Sequence, residues 1–189
     1  LAKYRDKTES LHVAKYWAMC EWWDEQCGEV LDHLEKKGLA ENTLVVYLAD
    51  NGWIQDPAAA KFAPRSKRSP HEGGTRTPII LRWPTHIKPK QDDMSLVSSI
   101  DVAPTILAAC EIEVPKGMAG INLLEVASGK KKSPAAAFGE IFDHDATDID
   151  HAEPGLLFRW CIAGNWKLIL PKDGKNSELY DLSTDAAEN

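Results

Sequence analysis

Two oxygen-bearing side chains, Asp50 and Asn51, follow an apolar run and precede Gly52. The run, residues 43–49, lacks the polar alternation of a half-solvated strand and predicts a strand that is buried on both faces. Open α/β sheets place their ligands at the carboxyl ends of their strands. A carboxylate beside an amide oxygen suits a hard cation such as calcium. The sequence Asp-Asn-Gly is also common in turns that bind nothing. The pair is therefore a candidate for one side of a calcium site.

A basic loop follows this strand in an otherwise acidic chain. Between Trp53 and His71 the sequence holds four basic residues and a single acid, Asp56, whereas the whole chain has a net charge of −7. The four basic residues are Lys61, Arg65, Lys67 and Arg68. Because local charge governs a site more than net charge does, the loop suits an anion next to the cation. The alternative is a solvated loop whose charges only aid solubility.

Two motifs carry a resemblance to a known family. The first is the Asp-Asn-Gly of residues 50–52, and the second is the Glu-Gly-Gly-Thr-Arg-Thr-Pro of residues 72–78, with Lys67 between them. In this order they resemble the sulfatases of the alkaline phosphatase superfamily. Further landmarks match in the right order, so that the resemblance covers nearly the whole chain. These landmarks are the stretches 16–24, 99–107, 120–124 and 178–182.

The resemblance implies a role for each candidate residue. Asp50 and Asn51 would ligate Ca²⁺ through their side-chain oxygens, and Lys67 would bind the sulfate and the leaving-group oxygen. His71 stands where relatives often carry an aromatic residue such as tyrosine. It could donate a proton to a leaving group, or it could be a substitute of similar shape. In the second motif, Glu72 and Arg76 are expected to hold the loop by ion pairing.

The nucleophile of a sulfatase is missing from this sequence. Sulfatases use a formylglycine made from the first residue of a Cys/Ser-x-Pro-x-Arg motif, and no cysteine or serine here begins one. The paired N-terminal aspartates that complete the family's metal site also have no counterpart. We therefore expect the chain to be the C-terminal part of a calcium-dependent sulfatase that is inactive alone. Formylglycine and the remaining ligands are expected in a missing N-terminal part, which is then a partner of this chain.

Two alternatives stay open at this point. A related phosphodiesterase or phosphonate-ester hydrolase shares the fold and can share the nucleophile. A non-catalytic binding module that has kept the fold is the other alternative. The substrate expected from the resemblance is a sulfate ester, and sulfated carbohydrate, aryl sulfate and choline sulfate all remain candidates. The resemblance also predicts a periplasmic or secreted protein.

Composition narrows the class of protein. The 189 residues are 43% hydrophobic and 27% charged, and no apolar run is long enough to span a membrane. The excess of 29 acidic over 22 basic residues argues against nucleic acid as a partner. The segment 140–153 concentrates six acids and two histidines, which leaves three interpretations open: a second metal site, an exposed acidic loop, or a lining of the substrate cleft.

Periodicity predicts the elements that position these residues. The helix–strand–loop–strand–helix order is typical of an α/β layered domain, and the resemblance makes it a partial alkaline-phosphatase-like sheet. Trp22 and Trp23 are adjacent and cannot both point the same way, so we expect one to pack on the sheet and the other against a neighbouring helix or the missing N-terminal part. The predicted elements are a helix over 9–38, a strand over 43–49, a loop over 51–77, a strand over 78–83, and a helix that Asp101 caps and that ends near Cys110.

A charge run and a proline at residues 129–134 predict a domain boundary. The first domain then covers 1–130, as the C-terminal part of a catalytic α/β domain, and a truncated second domain covers 131–189. Short strands separated by hairpin signals predict a small antiparallel sheet in this C-terminal subdomain. The predicted strands are 136–142, 156–163, 166–170 and 178–182.

Overall fold

The computed structural model describes residues 1–189 apart from Ala146, Thr147 and Ile149. Its helices are α1 (Ala2–Arg5), α2 (Leu11–Lys36), α3 (Glu72–Thr75), α4 (Val102–Ala109) and α5 (Leu123–Ala127). Its strands are β1 (Val45–Leu48), β2 (Ile79–Arg82), β3 (Ala136–Phe142), β4 (Leu156–Ala163), β5 (Trp166–Pro171) and β6 (Glu178–Asp181). Within the described residues, no helix is both long enough and apolar enough to cross a bilayer.

The long helix α2 lies where the periodicity predicts it. Ser10 caps it, and its Oγ accepts a hydrogen bond from the backbone N–H of Val13 at 3.3 Å. Gly38 follows the last turn with a φ of 67°, which glycine adopts at low cost. Trp22 and Trp23 are 60% and 53% exposed, so neither is buried by the described part of the chain, and packing against a part outside this chain stays a prediction. A broad apolar face of α2 therefore has no cover in the described part of the chain.

Strands β1 and β2 form a two-stranded antiparallel sheet in which Val45 lies opposite Arg82 and Leu48 opposite Ile79. The prediction that β1 is buried on both faces is wrong, because Leu48 is exposed and the other residues of β1 are only half-buried. An apolar run needs a covering layer on each side to become buried. Helix α2 is joined to this sheet through the ion pair of Glu35 and Arg82, at 2.9 Å.

Helix α4 begins next to Asp101, but the predicted side-chain cap does not form. The buried Asp101 carboxylate instead accepts hydrogen bonds from the backbone N–H groups of Ser98 and Ile121, at 2.8 Å each. The hydroxyl of buried Thr105 donates to Asp101 O at 2.6 Å and accepts from Leu123 N at 2.8 Å. These two polar residues therefore join α4 to the start of α5.

The C-terminal sheet is confirmed strand by strand, in the order β3-β4-β5-β6 with antiparallel pairing throughout. Gly164 turns β4 into β5 with a φ of 58°. Along β5 the side chains alternate, so that Lys167 and Ile169 are buried while Leu168 is exposed on the opposite face. The buried face is turned toward α3. The predicted division between residues 130 and 131 stays a prediction.

Candidate active site

Two glycines bring the two motifs together, backbone against backbone. The N–H of Gly52, after β1, donates to the carbonyl of Gly74 in α3 at 2.8 Å. A Cβ atom on Gly52 would lie 2.2 Å from the carbonyl oxygen of Gly73, and one on Gly74 would lie 2.2 Å from that of Ser66. Such contacts leave no room for a side chain, so only glycine fits at either position. We call the unit that these contacts form, residues 50–54 and 65–76, the motif cluster.

Two residues in the left-handed region shape the loop ahead of α3. Arg65 and Arg68 have φ values of 55° and 64°, which residues other than glycine adopt only where their surroundings impose them. Ser66 is fully buried, and its Oγ accepts a backbone N–H from Ile54. Lys67 is thereby carried on a fixed stretch of backbone.

Among the basic residues of this loop, Lys67 is the best placed for an anion. Lys61 lies 3.7 Å from a carboxylate oxygen of Asp56, and Arg65 donates to the backbone carbonyl of Glu188. In the described part of the chain neither Lys67 nor Arg68 forms an ion pair, and of these two only Lys67 is half-buried. The role of Lys67 stays a prediction.

The aromatic ring of Trp53 lies beside Lys67. The Lys67 Nζ is 5.9 Å from the centroid of this ring, at the outer limit of a cation–π contact. Trp53 is 37% exposed, and its ring packs against Phe62 in a T-shaped arrangement with the two centroids 5.6 Å apart. An apolar surface therefore adjoins the candidate anion contact.

Asp50 and Asn51 leave β1 at the edge of the motif cluster. Asp50 Oδ1 accepts from the Asn51 N–H at 2.9 Å, and Asn51 Nδ2 donates to the Gly52 carbonyl at 2.9 Å. The Asn51 amide oxygen and Asp50 Oδ2 accept no hydrogen bond from any described residue, so both are available to a hard cation. Within the described residues, no group of three or more His, Cys, Asp or Glu gathers around a possible metal position. The donor set therefore fits one side of a calcium site without completing it.

His71 has both ring nitrogens in hydrogen bonds. Nδ1 lies 2.7 Å from Ser69 Oγ, and Nε2 lies 3.2 Å from Glu178 Oε2, with the imidazole only 13% exposed. Tyr180 donates to the same carboxylate, and these two hydrogen bonds hold the pKa of Glu178 below its ordinary value. The partners join the loop to β6, which favours the interpretation of His71 as a packing substitute. Its catalytic role stays a prediction.

The predicted ion pair of Glu72 and Arg76 forms only at 3.8 Å, with Arg76 exposed. The shorter contact to Glu72 comes from Lys167 on β5, whose Nζ lies 2.7 Å from Glu72 Oε1 and 3.1 Å from Glu188 Oε1. Sequence reasoning missed this lysine because it stands 95 residues from its partner. One signal was available: the alternation of β5 places Lys167 on the same face as the apolar Ile169, which indicates a buried lysine.

The acidic segment 140–153 forms exposed pairs in the part that the structure describes. Glu140 accepts from Arg159 at 2.9 Å, and the His151 ring lies 3.0 Å from Asp148. This favours an exposed loop over a second metal site, and the lining of a cleft stays a prediction. Three residues of this segment lie outside the described residues: Ala146, Thr147 and Ile149.

The sequence of this chain matches two family profiles and several known proteins. The profile of the sulfatase family matches residues 2–112, and that of the C-terminal region of N-sulphoglucosamine sulphohydrolase matches residues 62–189. The chain is 30% identical over 170 residues to N-acetylglucosamine-6-O-sulfatase of Bacteroides thetaiotaomicron, covering 87% of this chain and 29% of that protein. It is 28% identical over 178 residues to arylsulfatase K of Xenopus laevis, covering 93% and 32%.

A solved structure gives the same result at the level of the fold. It shows a protein in complex with its substrate D-glucosamine-2-N,6-O-disulfate, and it shares 30% identity and a TM-score of 0.66 with this chain. The match covers 87% of this chain and 33% of that one. The chain thus spans about a third of the length of the relatives that it matches. The predicted α/β fold is confirmed, with the corrections to β1 and α4 given above.

Proposed function

Because the chain belongs to the sulfatase family, we propose that it supplies one half of the active site of a calcium-dependent sulfatase that hydrolyses sulfate esters. The observation that carries the proposal is the contact between the two motifs. The hydrogen bond from Gly52 to Gly74 joins the segment of Asp50 and Asn51 to the loop of Lys67. Two free ligand oxygens and a half-buried lysine are thereby presented by one compact unit.

The residues of this unit have complementary tasks in the proposed reaction. Asp50 and Asn51 would hold calcium, which supplies Lewis-acid polarisation of the sulfate when it is bound. The Lys67 ammonium would bind a sulfate oxygen and stabilise the negative charge that develops on the leaving-group oxygen. The contacts on both sides of Lys67 fix the position of its backbone, so the side chain starts from a defined place beside the Trp53 ring.

We propose that the other half of the site lies outside this chain. Calcium takes about six to eight oxygen ligands, and the motif cluster offers two side chains. The Cys/Ser-x-Pro-x-Arg motif that yields formylglycine is likewise absent from the 189 residues. The chain alone is therefore expected to be inactive.

The large solvent-exposed surface of the chain supports the proposal that the other half of the site lies outside it. A compact monomer of 21.0 kDa exposes about 9,000 Å², whereas this chain exposes 13,189 Å². This excess of about 4,000 Å² lies on one chain alone, so a partner that covered it would bury roughly twice that area in total, which is in or above the range of obligate interfaces. The open faces of α2 and of the β1–β2 sheet contribute to this excess, and β1 leads directly into the motif cluster.

For the substrate we propose a sulfated carbohydrate. The solved relative in complex with D-glucosamine-2-N,6-O-disulfate and the curated N-acetylglucosamine-6-O-sulfatase support a sulfated sugar. Trp53 supports it from this chain, because its exposed ring lies next to the proposed sulfate contact and offers a flat apolar surface to a sugar.

A comparison of substrates tests the proposal. The complete protein that carries this chain is assayed on a sulfated N-acetylglucosamine, an aryl sulfate and a phosphodiester, each with and without a chelator. We expect sulfate-ester hydrolysis that is lost on chelation and restored by calcium, with the sugar sulfate preferred. Faster turnover of the phosphodiester would assign the protein to the phosphodiesterase alternative, and the absence of any turnover would favour a binding module.

A further inference from the structure

A buried lysine lies outside the proposed calcium and sulfate contacts. The side chain of Lys167 on β5 is 0% exposed. Its ammonium donates to Glu72 Oε1 at 2.7 Å and to Thr75 Oγ1 at 3.2 Å, and it forms an ion pair with Glu188 Oε1 at 3.1 Å. Two of these contacts are hydrogen bonds to side chains of α3, and the third is an ion pair with a carboxylate oxygen that accepts no hydrogen bond from any described residue.

The charges around this ammonium depend on one another. Lys167 is the cation between two carboxylates that are themselves withdrawn from water, Glu72 at 10% and Glu188 at 1% exposure. A buried charge is tolerated only when it is paired and hydrogen-bonded. Without the lysine, two carboxylates would face each other in a poorly solvated site.

Glu188 contacts both ends of the segment that carries Lys67, at Arg65 and at Glu72. Its Oε2 accepts the backbone N–H of Glu72, and its backbone carbonyl accepts from the Arg65 side chain. Its own φ is 58°, a conformation that the surrounding contacts must impose on a residue with a side chain. The ammonium of Lys167 therefore stabilises a residue that holds the loop at Arg65 and at Glu72.

These two fixed points bracket the parts of the proposed site. Lys67 lies between Arg65 and Glu72, so the segment that carries the proposed sulfate contact is held at each end. Gly74, two residues after Glu72, accepts the hydrogen bond from Gly52 at 2.8 Å. A displacement of Glu72 would therefore move both the anion contact and the segment of the metal ligands.

We propose that Lys167 is a positioning residue of the active site. Its ammonium fixes Glu72 and Glu188, and through them it fixes the loop of Lys67 and the turn that packs against Gly52. It touches neither substrate nor metal. The inference rests on the proposed function and goes beyond it, because it gives the C-terminal sheet a part in the geometry of the metal and sulfate contacts.

The test compares Lys167→Met, which removes the charge and keeps the length, with the control Lys172→Met in the complete protein. Lys172 is exposed directly after β5, and among the described residues its ammonium donates only to the backbone carbonyls of Glu153 and Pro154. We expect Lys167→Met to raise the calcium concentration for half-maximal activity by about tenfold or more, as outer-shell substitutions do, and Lys172→Met to leave it unchanged. Lys167→Arg, which keeps the charge, is expected to recover part of the loss.

Hydrogen exchange at the Gly52 amide provides a readout that is independent of activity. We expect this amide to lose protection in Lys167→Met while the amides of β3 and β4 keep theirs. If Lys167→Met does not fold, Glu72→Gln is measured in its place, because it removes one charge of the pair and keeps the shape.

The outcomes separate the two proposals. A lower melting temperature with unchanged calcium dependence and unchanged Gly52 protection would overturn the positioning role and leave the sulfatase proposal intact. Conversely, if the unaltered protein hydrolyses no sulfate ester, the proposed function fails. Selective loss of Gly52 protection in Lys167→Met would then still support the positioning of the loop, and unchanged protection would overturn it.

Discussion

The two sides of the motif cluster differ in how completely their polar groups are satisfied. On the side of the C-terminal sheet, which we call the closed side, the carboxylates, the imidazole and the ammonium are paired with one another, and all but Glu178 are largely withdrawn from solvent. It consists of His71, Glu72, Lys167, Glu178 and Glu188. On the open side, ligand oxygens and an ammonium stand without ion-pair partners among the described residues, next to exposed apolar side chains. It consists of Asp50, Asn51, Lys67 and the β1–β2 sheet.

This difference indicates that the two sides have different roles. The closed side holds the cluster in shape, since each of its charges is stabilised by another group of the same chain. The open side presents the groups that suit a cation and an anion, and its strand residues are half-buried or exposed in the described part of the chain. Substitutions on the open side are therefore expected to act on chemistry, and those on the closed side on geometry and stability.

The largest effect is expected from Lys67 on the open side. In the complete protein Lys67→Ala removes the proposed charge at the sulfate, and loss of one such donor typically lowers kcat by about 10²–10³-fold. Arg68→Ala is the matched control, because Arg68 is adjacent and exposed. Steady-state kinetics on a sulfate ester measure both, and an equal loss in the two variants would contradict the assignment of Lys67.

The second effect tests the junction between the two sides. A Cβ on Gly74 would lie 2.2 Å and 2.4 Å from the carbonyl oxygens of Ser66 and Ser69. We expect Gly74→Ala to lower the free energy of unfolding by about 3 kcal/mol. Gly28→Ala is the control, since nothing lies within 4 Å of that position in α2, and we expect it to stabilise by about 0.5–1 kcal/mol. Denaturant unfolding measures both variants. Similar changes in the free energy of unfolding for Gly74→Ala and Gly28→Ala would refute the close packing of the motif cluster.

Some of this architecture follows from local patterns and some does not. The strands of the C-terminal sheet were predictable because alternation and turn residues act over a few neighbours. The five-residue α5 is too short for periodicity to reveal it. The apolar run of β1 indicates a tendency to be buried, but it does not indicate which layer covers it. A carboxylate such as Asp101 accepts from any suitable N–H, and the sequence does not say that Ile121 lies within reach.

The candidate site divides in the same way. Asp50 and Asn51 were predicted because they lie within a short motif, and Lys67 because it stands between that motif and the next one. Lys167 and Glu188 were not, because their contacts to Glu72 join residues far apart in sequence and depend on how the sheet packs against α3. The open side of the site is therefore encoded locally, whereas the closed side results from tertiary packing.

A smaller effect is expected on the closed side at alkaline pH. The hydrogen bond to Glu178, together with burial, raises the pKa of Tyr180 from 10.0 to about 12. A raised folded-state pKa gives stability that is complete below pH 10 and is lost as the pH rises toward 12. We expect Tyr180→Phe to cost about 1 kcal/mol at neutral pH, with the difference shrinking over that alkaline interval. A pH-independent difference in unfolding free energy would contradict this contact.

The smallest effect is expected where neither side of the cluster is involved. Asp148 and His151 form an exposed pair, and such pairs contribute less than about 1 kcal/mol. We expect Asp148→Asn to change neither the melting temperature nor the calcium dependence of the complete protein appreciably. Loss of calcium dependence in this variant would support the interpretation of the acidic segment as a second metal site.

Calcium titration by calorimetry tests the central claim most directly. The complete protein, its Asp50→Ala/Asn51→Ala variant and the 189-residue chain alone are titrated under the same conditions, with Asp93→Ala as an exposed control. If the chain supplies half of a calcium site, the complete protein binds calcium and the double variant loses this binding. The isolated chain then binds with a Kd of about 1 mM or weaker, because two ligands do not complete the site. Equal calcium affinity in the double variant and the unaltered protein would contradict the account.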